Sequence, residues 1–162
     1  MPTLAPVRRE VITEINRLTG PGANMGTIVE AGSGWGTLAF SISKNCLDWR
    51  QVIGIENSFV PLWISRQAAR LRVRIPVRGE YIRTPVTFIK GDLYDYAFED
   101  VDLVVCYLYP GAMKRLSVIF NELLALNTRI ISVCFALPGW QPERVITCRD
   151  LYRTKVYVYV KG

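Results

Sequence analysis

At 162 residues, half of them hydrophobic, the chain is long enough for one domain with a substantial core and too short for a second of ordinary size. Its net charge of +6 is compatible with nucleic acid, an acidic protein or an anionic membrane as partner. The absence of histidine and of any Cys-x-x-Cys pair argues against zinc and removes the usual neutral-pH general base. No uncharged apolar run approaches bilayer length, and Arg8 and Arg9 follow rather than precede the first short apolar stretch, unlike a signal peptide. The expectation is a cytoplasmic protein in which Cys46, Cys106, Cys134 and Cys148 stay reduced.

Val7, Val11, Ile12, Ile15 and Leu18 stand at helical spacing, and Gly20-Pro21-Gly22 ends that helix. A first strand is expected at 27–31, followed by a glycine loop and a helix over about 35–45 that turns Leu38, Ala39 and Ile42 inward. A second strand covers 52–56, and Pro61 suits the first turn of the helix after it, which runs to about Leu71. The stretch 72–85, with Pro76, Gly79 and Pro85, reads as a loop or a short irregular strand pair. The arginines Arg66, Arg70, Arg72, Arg74, Arg78 and Arg83 fit a solvated helix face and charged loop better than a partner site.

A third strand follows at 86–90, and the nearly continuous apolar run 101–108 reads as a buried parallel strand. A helix over 112–125, a fifth strand over 129–135 and a rigid turn at Pro138-Gly139-Trp140-Gln141-Pro142 come next. The segments 145–148 and 155–160 close the sheet with an antiparallel hairpin. The expected fold is a single three-layer α/β domain over 1–162, Rossmann-like, with an N-terminal helix and a mostly parallel sheet.

The most informative residues are Glu30-x-Gly32-x-Gly34-x-Gly36 at the end of the first strand. Glycines at these positions let a ligand approach the backbone, and the following helix presents free N–H groups. A dinucleotide pyrophosphate wants Gly-x-Gly-x-x-Gly and would be repelled by Glu30. The positive amino group of a methionine-like cofactor would be attracted, so the loop favours S-adenosylmethionine over NAD. Glu56, at the tip of the second strand, offers an acceptor pair for ribose hydroxyls, and Asp92-Leu93 after the third offers a carboxylate and an apolar face for adenine. A bare Gly-Asp is also an ordinary turn.

This order resembles the seven-stranded class I S-adenosylmethionine-dependent methyltransferases. The segments Tyr107-Leu108-Tyr109-Pro110 and Arg129-Ile-Ile-Ser132-x-x-Phe135-x-x-Pro138-Gly139-Trp140-x-Pro142 are similar to a small protein-lysine methyltransferase family, as is Pro2-Thr3 before the first helix. That family includes the archaeal broad-specificity enzyme and mitochondrial enzymes acting on the ATP synthase c-subunit and the adenine nucleotide translocase. Trp35 stands where these relatives commonly carry an acid.

The resemblance implies S-adenosylmethionine as cofactor and a protein lysine as acceptor, with Tyr107 and Tyr109 as catalytic candidates at the end of strand four. The alternative reading is that one of the two simply packs under the sheet edge. Pro110, Phe135 and Trp140 become substrate-side candidates. Pro110 equally suits a helix start, and Trp140 and Phe135 equally suit anchoring a turn. Competing readings are a methyltransferase for RNA or a small metabolite, and an inactive cofactor-binding module whose methionine end Trp35 narrows. Tyr107-Leu108-Tyr109-Pro110 lacks the Asn/Asp-Pro-Pro-aromatic pattern of nucleic-acid amino methylation, which disfavours that acceptor. The oligomeric state stays open.

Overall fold

The computed structural model describes residues 4–19, 25–74 and 83–162, with the side chains of 72–74 excepted. The Pro2-Thr3 pair, the Gly20-Pro21-Gly22 stop and most of the arginine-rich loop lie outside the described residues. The elements are α1 (Ala5–Leu18), β1 (Met25–Ala31), α2 (Thr37–Asn45), β2 (Trp49–Glu56), α3 (Phe59–Arg74) and β3 (Val86–Lys90), followed by β4 (Val101–Cys106), α4 (Pro110–Leu123), β5 (Arg129–Val133), β6 (Arg144–Thr147) and β7 (Lys155–Val160).

They build one seven-stranded sheet in the order β3-β2-β1-β4-β5-β7-β6. Strands β1 to β5 pair in parallel, and β7 is antiparallel to both β5 and β6. Six strands therefore run one way, and the order reverses between β1 and β4, where open α/β sheets bind ligands. The expected three-layer, mostly parallel fold with a C-terminal antiparallel hairpin is the one observed.

Each sheet face buries its own core. On one side Val11 and Ile15 of α1, Leu38 and Ile42 of α2 and Leu62 of α3 pack on Ile28, Val52, Leu103, Val105 and Ile131. On the other, Met113, Leu116 and Phe120 of α4 pack on Val29, Ile55, Val104, Ile130 and Tyr159. Consecutive residues such as Ile28 and Val29 face opposite cores, so a strand clad on both faces has no polar side. Burying each such side chain contributes about 2 kcal/mol.

Two strands end earlier than their apolar runs. β4 stops at Cys106, because Pro110 takes the first position of α4 and the residues between leave the sheet to reach it. β5 stops at Val133, because Cys134 adopts φ 71°, which breaks strand geometry. In the opposite sense, β2 extends back to Trp49, paired with Met25.

Candidate cofactor and acceptor site

The register places the expected cofactor residues side by side. Ala31 pairs with Ile55 and Glu56 with Lys90, so the glycine loop, Glu56 and Gly91-Asp92 leave three adjacent strands at the same end. Gly32, Gly34 and Gly36 all take positive φ, at 76°, 50° and 75°. Their surroundings differ. A Cβ on Gly32 would lie 2.6 Å from Leu108 Cδ2 and one on Gly36 2.6 Å from Phe88 Cζ, whereas one on Gly34 would meet nothing within 4 Å. The outer glycines admit packing, and the middle one faces open space.

Backbone bonds hold the loop. The Gly32 and Ser33 amides donate to the Ile55 carbonyl at 3.0 and 2.9 Å, and the Gly36 amide donates to the Ser33 carbonyl at 2.8 Å. Glu56 braces it further: Oε2 accepts from the Gly34 amide at 2.8 Å and Oε1 from the Ser58 amide at 2.7 Å. Each oxygen keeps a second lone pair for a ligand hydroxyl. Gly36 caps α2 without a side chain, and the buried Glu30 supplies the missing acceptor, its Oε2 taking the Ala39 amide at 2.9 Å. Burial pushes the Glu30 carboxyl up from 4.5 to about 8, with the Ala39 bond opposing the rise and Glu56 adding to it.

Glu30, Gly32, Ser33, Gly34, Trp35, Thr37, Leu38 and Tyr107 line one cavity of about 70 Å³. The Ser33 Oγ is buried without a hydrogen-bond partner, and the Thr37 and Leu38 amides at the start of α2 have no acceptor among the described residues. Trp35 stays 44% exposed and walls the cavity from outside.

Of the acceptor-side residues, Tyr107 enters this cavity and Tyr109 does not. Burial, followed by the Cys134 thiol and the Asp150 carboxylate, pushes the Tyr107 phenol above its ordinary value, so it is neutral at physiological pH. Tyr109 precedes α4 and is 65% exposed, and Pro110 is the first residue of that helix. Phe135 follows β5, exposed, its carbonyl accepting from the Ser132 hydroxyl. Trp140 lies elsewhere: its indole N–H donates to the Ser117 carbonyl at 3.0 Å and its ring meets Tyr159 edge-on at 6.2 Å, fastening the turn to α4. Asp92 is exposed, with Oδ1 accepting the Tyr94 amide at 2.9 Å, and Leu93 packs half-buried beside it.

Residues 30–144, from Glu30 through Trp140 and beyond, match the sequence profile of the ANTKMT methyltransferase domain. The chain belongs to this family. It is a class I S-adenosylmethionine-dependent methyltransferase. The RNA methyltransferase from Salinibacter ruber, in complex with S-adenosyl-L-homocysteine, superposes with a TM-score of 0.73 at 24% identity, covering 99% of this chain and 93% of that one. The rRNA methyltransferase aviRa from Streptomyces viridochromogenes gives 0.71 at 13% identity, covering 99% and 86%. A point mutant of MtNAS in complex with S-adenosylmethionine gives 0.70 at 18%, covering 97% of this chain and 63% of that one. At these identities the likeness is one of fold. No curated protein matches the sequence significantly.

For an ANTKMT-family methyltransferase the residues present fit the cofactor. A buried hydroxyl and two helix-start amides, all without a partner among the described residues, and a buried acid belong to residues that line a cavity of a size for an amino-acid end. Open space lies over Gly34, and Glu56 stands next along. Several contributors were not singled out from sequence. Gly54 sits where a Cβ would come within 2.5 Å of Phe88, so the Phe88 ring is slotted between Gly36 and Gly54 beneath the loop. A glycine inside a strand pattern was the available signal. Leu38 was read only as an inward-facing helix residue and Leu108 only as part of a family motif, while Ser33, Thr37 and Tyr94 carried no signal.

Proposed function

We propose that this methyltransferase transfers methyl groups to lysine side chains of protein, and that the cavity beneath the glycine loop seats the amino-acid end of its cofactor. The observation that carries the reading is Tyr107: a neutral phenol from the end of β4 shares that cavity with Glu30 and Trp35, within a segment matching the ANTKMT family. Glu30, Ser33 and the start of α2 would hold the ammonium and carboxylate, Glu56 the ribose hydroxyls, and Asp92 with Leu93 the base.

S-adenosylmethionine supplies a methyl on a sulfonium sulfur; the C–S electron pair returns to sulfur as a neutral amine's lone pair forms the C–N bond. The chain's task is then alignment and exclusion of water. The Tyr107 hydroxyl can accept an amine N–H and hold the lone pair toward the donor. An incoming lysine sheds its proton to solvent on entering an apolar slot, where burial lowers its pKa. No histidine is needed. The rim at this end exposes Trp35, Phe59, Trp63, Tyr109, Phe135 and Tyr152, a surface suited to a macromolecule rather than an enclosed metabolite.

A second reading, an RNA acceptor, is favoured by that rim combined with the net charge of +6. Incubation with tritiated-methyl S-adenosylmethionine and cell lysate separates them. The expected result is nuclease-resistant label recovered as methyllysine after hydrolysis. Label released by ribonuclease overturns the lysine reading.

A further inference from the structure

β6 ends and β7 begins at the same pole as the glycine loop, and a tight hairpin joins them. The Arg153 amide donates to the Asp150 carbonyl at 3.1 Å and the Cys148 amide to the Thr154 carbonyl at 2.8 Å, so Leu151 and Tyr152 hold the two central positions of a β-turn. Those positions ordinarily take glycine, proline, asparagine or aspartate. Leu151 is 89% and Tyr152 77% exposed, more than any other large hydrophobic side chain among the described residues, so packing does not explain them.

The turn is ordered by its own bonds. Asp150 Oδ1 accepts the Thr154 amide at 2.8 Å and Oδ2 the Thr154 hydroxyl at 2.6 Å, while Arg153 takes φ 50° to close the bend. The Thr154 hydroxyl bond, foremost, holds the Asp150 carboxyl below its ordinary value, so the acid stays ionised and engaged within the turn. Arg149, Arg153 and Lys155 around it are exposed, which gives the tip three cations against one acid. A second apolar cluster stands across the sheet at this pole. Phe59, Val60 and Trp63 are exposed on the first turns of α3, whose residues Phe59–Arg74 include four arginines and no acid. β1, β4 and β5 separate β2, which leads into α3, from the hairpin, about 20 Å at ordinary strand spacing. Tyr107, just after β4, lies between the two clusters.

We propose that Leu151 and Tyr152 insert into the headgroup layer of a bilayer carrying anionic lipid, with Arg149, Arg153 and Lys155 on its phosphates and Phe59 and Trp63 as a second contact, so that the end of β4 faces the membrane. A folded partner would have to present a notch for a convex turn and a matching face about 20 Å away. A lipid surface deforms around both, takes leucine among its chains and tyrosine at its headgroups, and attracts the flanking cations. The docking does not depend on which group accepts the methyl.

The test is co-sedimentation of the full chain with phosphatidylcholine vesicles containing about 30 mol% phosphatidylserine, and with phosphatidylcholine alone. The wild type is expected to sediment with the anionic vesicles, less so as salt rises, and not with the neutral ones. Leu151→Ser combined with Tyr152→Ser should weaken that binding about tenfold while the melting temperature and S-adenosylhomocysteine affinity hold. Arg149→Gln combined with Arg153→Gln should weaken it by a similar factor and flatten its salt dependence. A wild type that stays in the supernatant, one that binds both vesicle types equally, or a double-serine variant that binds like wild type overturns the proposal. So does capture of the wild type but not the double-serine variant by polyuridylate or polyglutamate without vesicle binding, which would give the tip to RNA or an acidic protein. Vesicle binding by a protein that labels no lysine supports the docking and rejects the lysine acceptor. Lysine labelling by a protein that ignores vesicles does the reverse.

Discussion

Glu30 shows how one side chain can cap a helix and line a cavity at once. Its carboxyl caps α2 through Ala39 while sitting in a desolvated cavity, and its pKa rises from 4.5 to about 8. Between those values the folded protein binds a proton that the unfolded chain has released. The group's contribution to stability is thus fully present below about pH 4.5 and is lost as pH rises to about 8, on the order of 5 kcal/mol in all. Glu30→Gln keeps a carbonyl for the Ala39 amide but cannot ionise. Its stability relative to wild type in urea titrations should therefore be several kcal/mol more favourable at about pH 9 than at about pH 5, and a pH-independent difference would refute the assignment. A neighbouring residue makes the opposite point. Gly34 has room around it yet sits at φ 50°, so Gly34→Arg is expected to cost about 1–2 kcal/mol in folding while the long side chain occupies the open space. Calorimetry should show S-adenosylhomocysteine affinity lost in a folded variant, and unchanged affinity would move the site elsewhere.

At the scale of elements, what could be read from sequence was what periodicity and punctuation control. β3 and β7 lie where they were expected, at Val86–Lys90 and Lys155–Val160, because Pro85 and Gly91 bracket the first and strict alternation marks the second. The ends of β4 and β5 were not legible, since Cys106 and Val133 stop strands whose apolar runs continue. There a helix start and one left-handed residue override local preference. Within the candidate site, the spacing of the glycines and acids was visible in sequence, whereas the support under the loop was not. Phe88 looks like any core residue of a short strand, and only the parallel register of β2 and β3 reveals that Gly54 makes room for it. Gly54→Ala should destabilise the protein by about 1–3 kcal/mol through overpacking, as its Cβ would meet the ring at 2.5 Å. In a Phe88→Ala background, itself costing about 3–5 kcal/mol, the added methyl should cost less. A double-mutant cycle with strictly additive values would show that the slot does not carry the loop.

For the whole molecule, the glycine-loop end is one pole of a sheet whose closure depends on joining residues far apart in sequence. Glu14 of α1 reaches Arg144 of the edge strand β6 at 3.3 Å, and Arg17 at 3.4 Å, tying the leading helix to the C-terminal hairpin. The two sides of this bridge are unequally hydrated. The Glu14 side chain is 4% exposed, against 43% for Arg144 and 58% for Arg17, so only the acid has given up its water. Removing the acid leaves cations that rehydrate; removing Arg144 leaves a buried carboxylate with one peripheral partner. Arg144→Met should therefore destabilise by about 2–3 kcal/mol and Glu14→Gln by only about 1 kcal/mol, although both delete the same ion pair. For a chain of this length the larger loss lowers the melting temperature by roughly 5–10 °C. Because the bridge lies away from the cavity-lining residues, S-adenosylhomocysteine affinity of both folded variants should stay at the wild-type value. Equal losses of stability would mean the pair is held as an exposed contact, with α1 kept in place by Val7, Val11 and Ile15 alone.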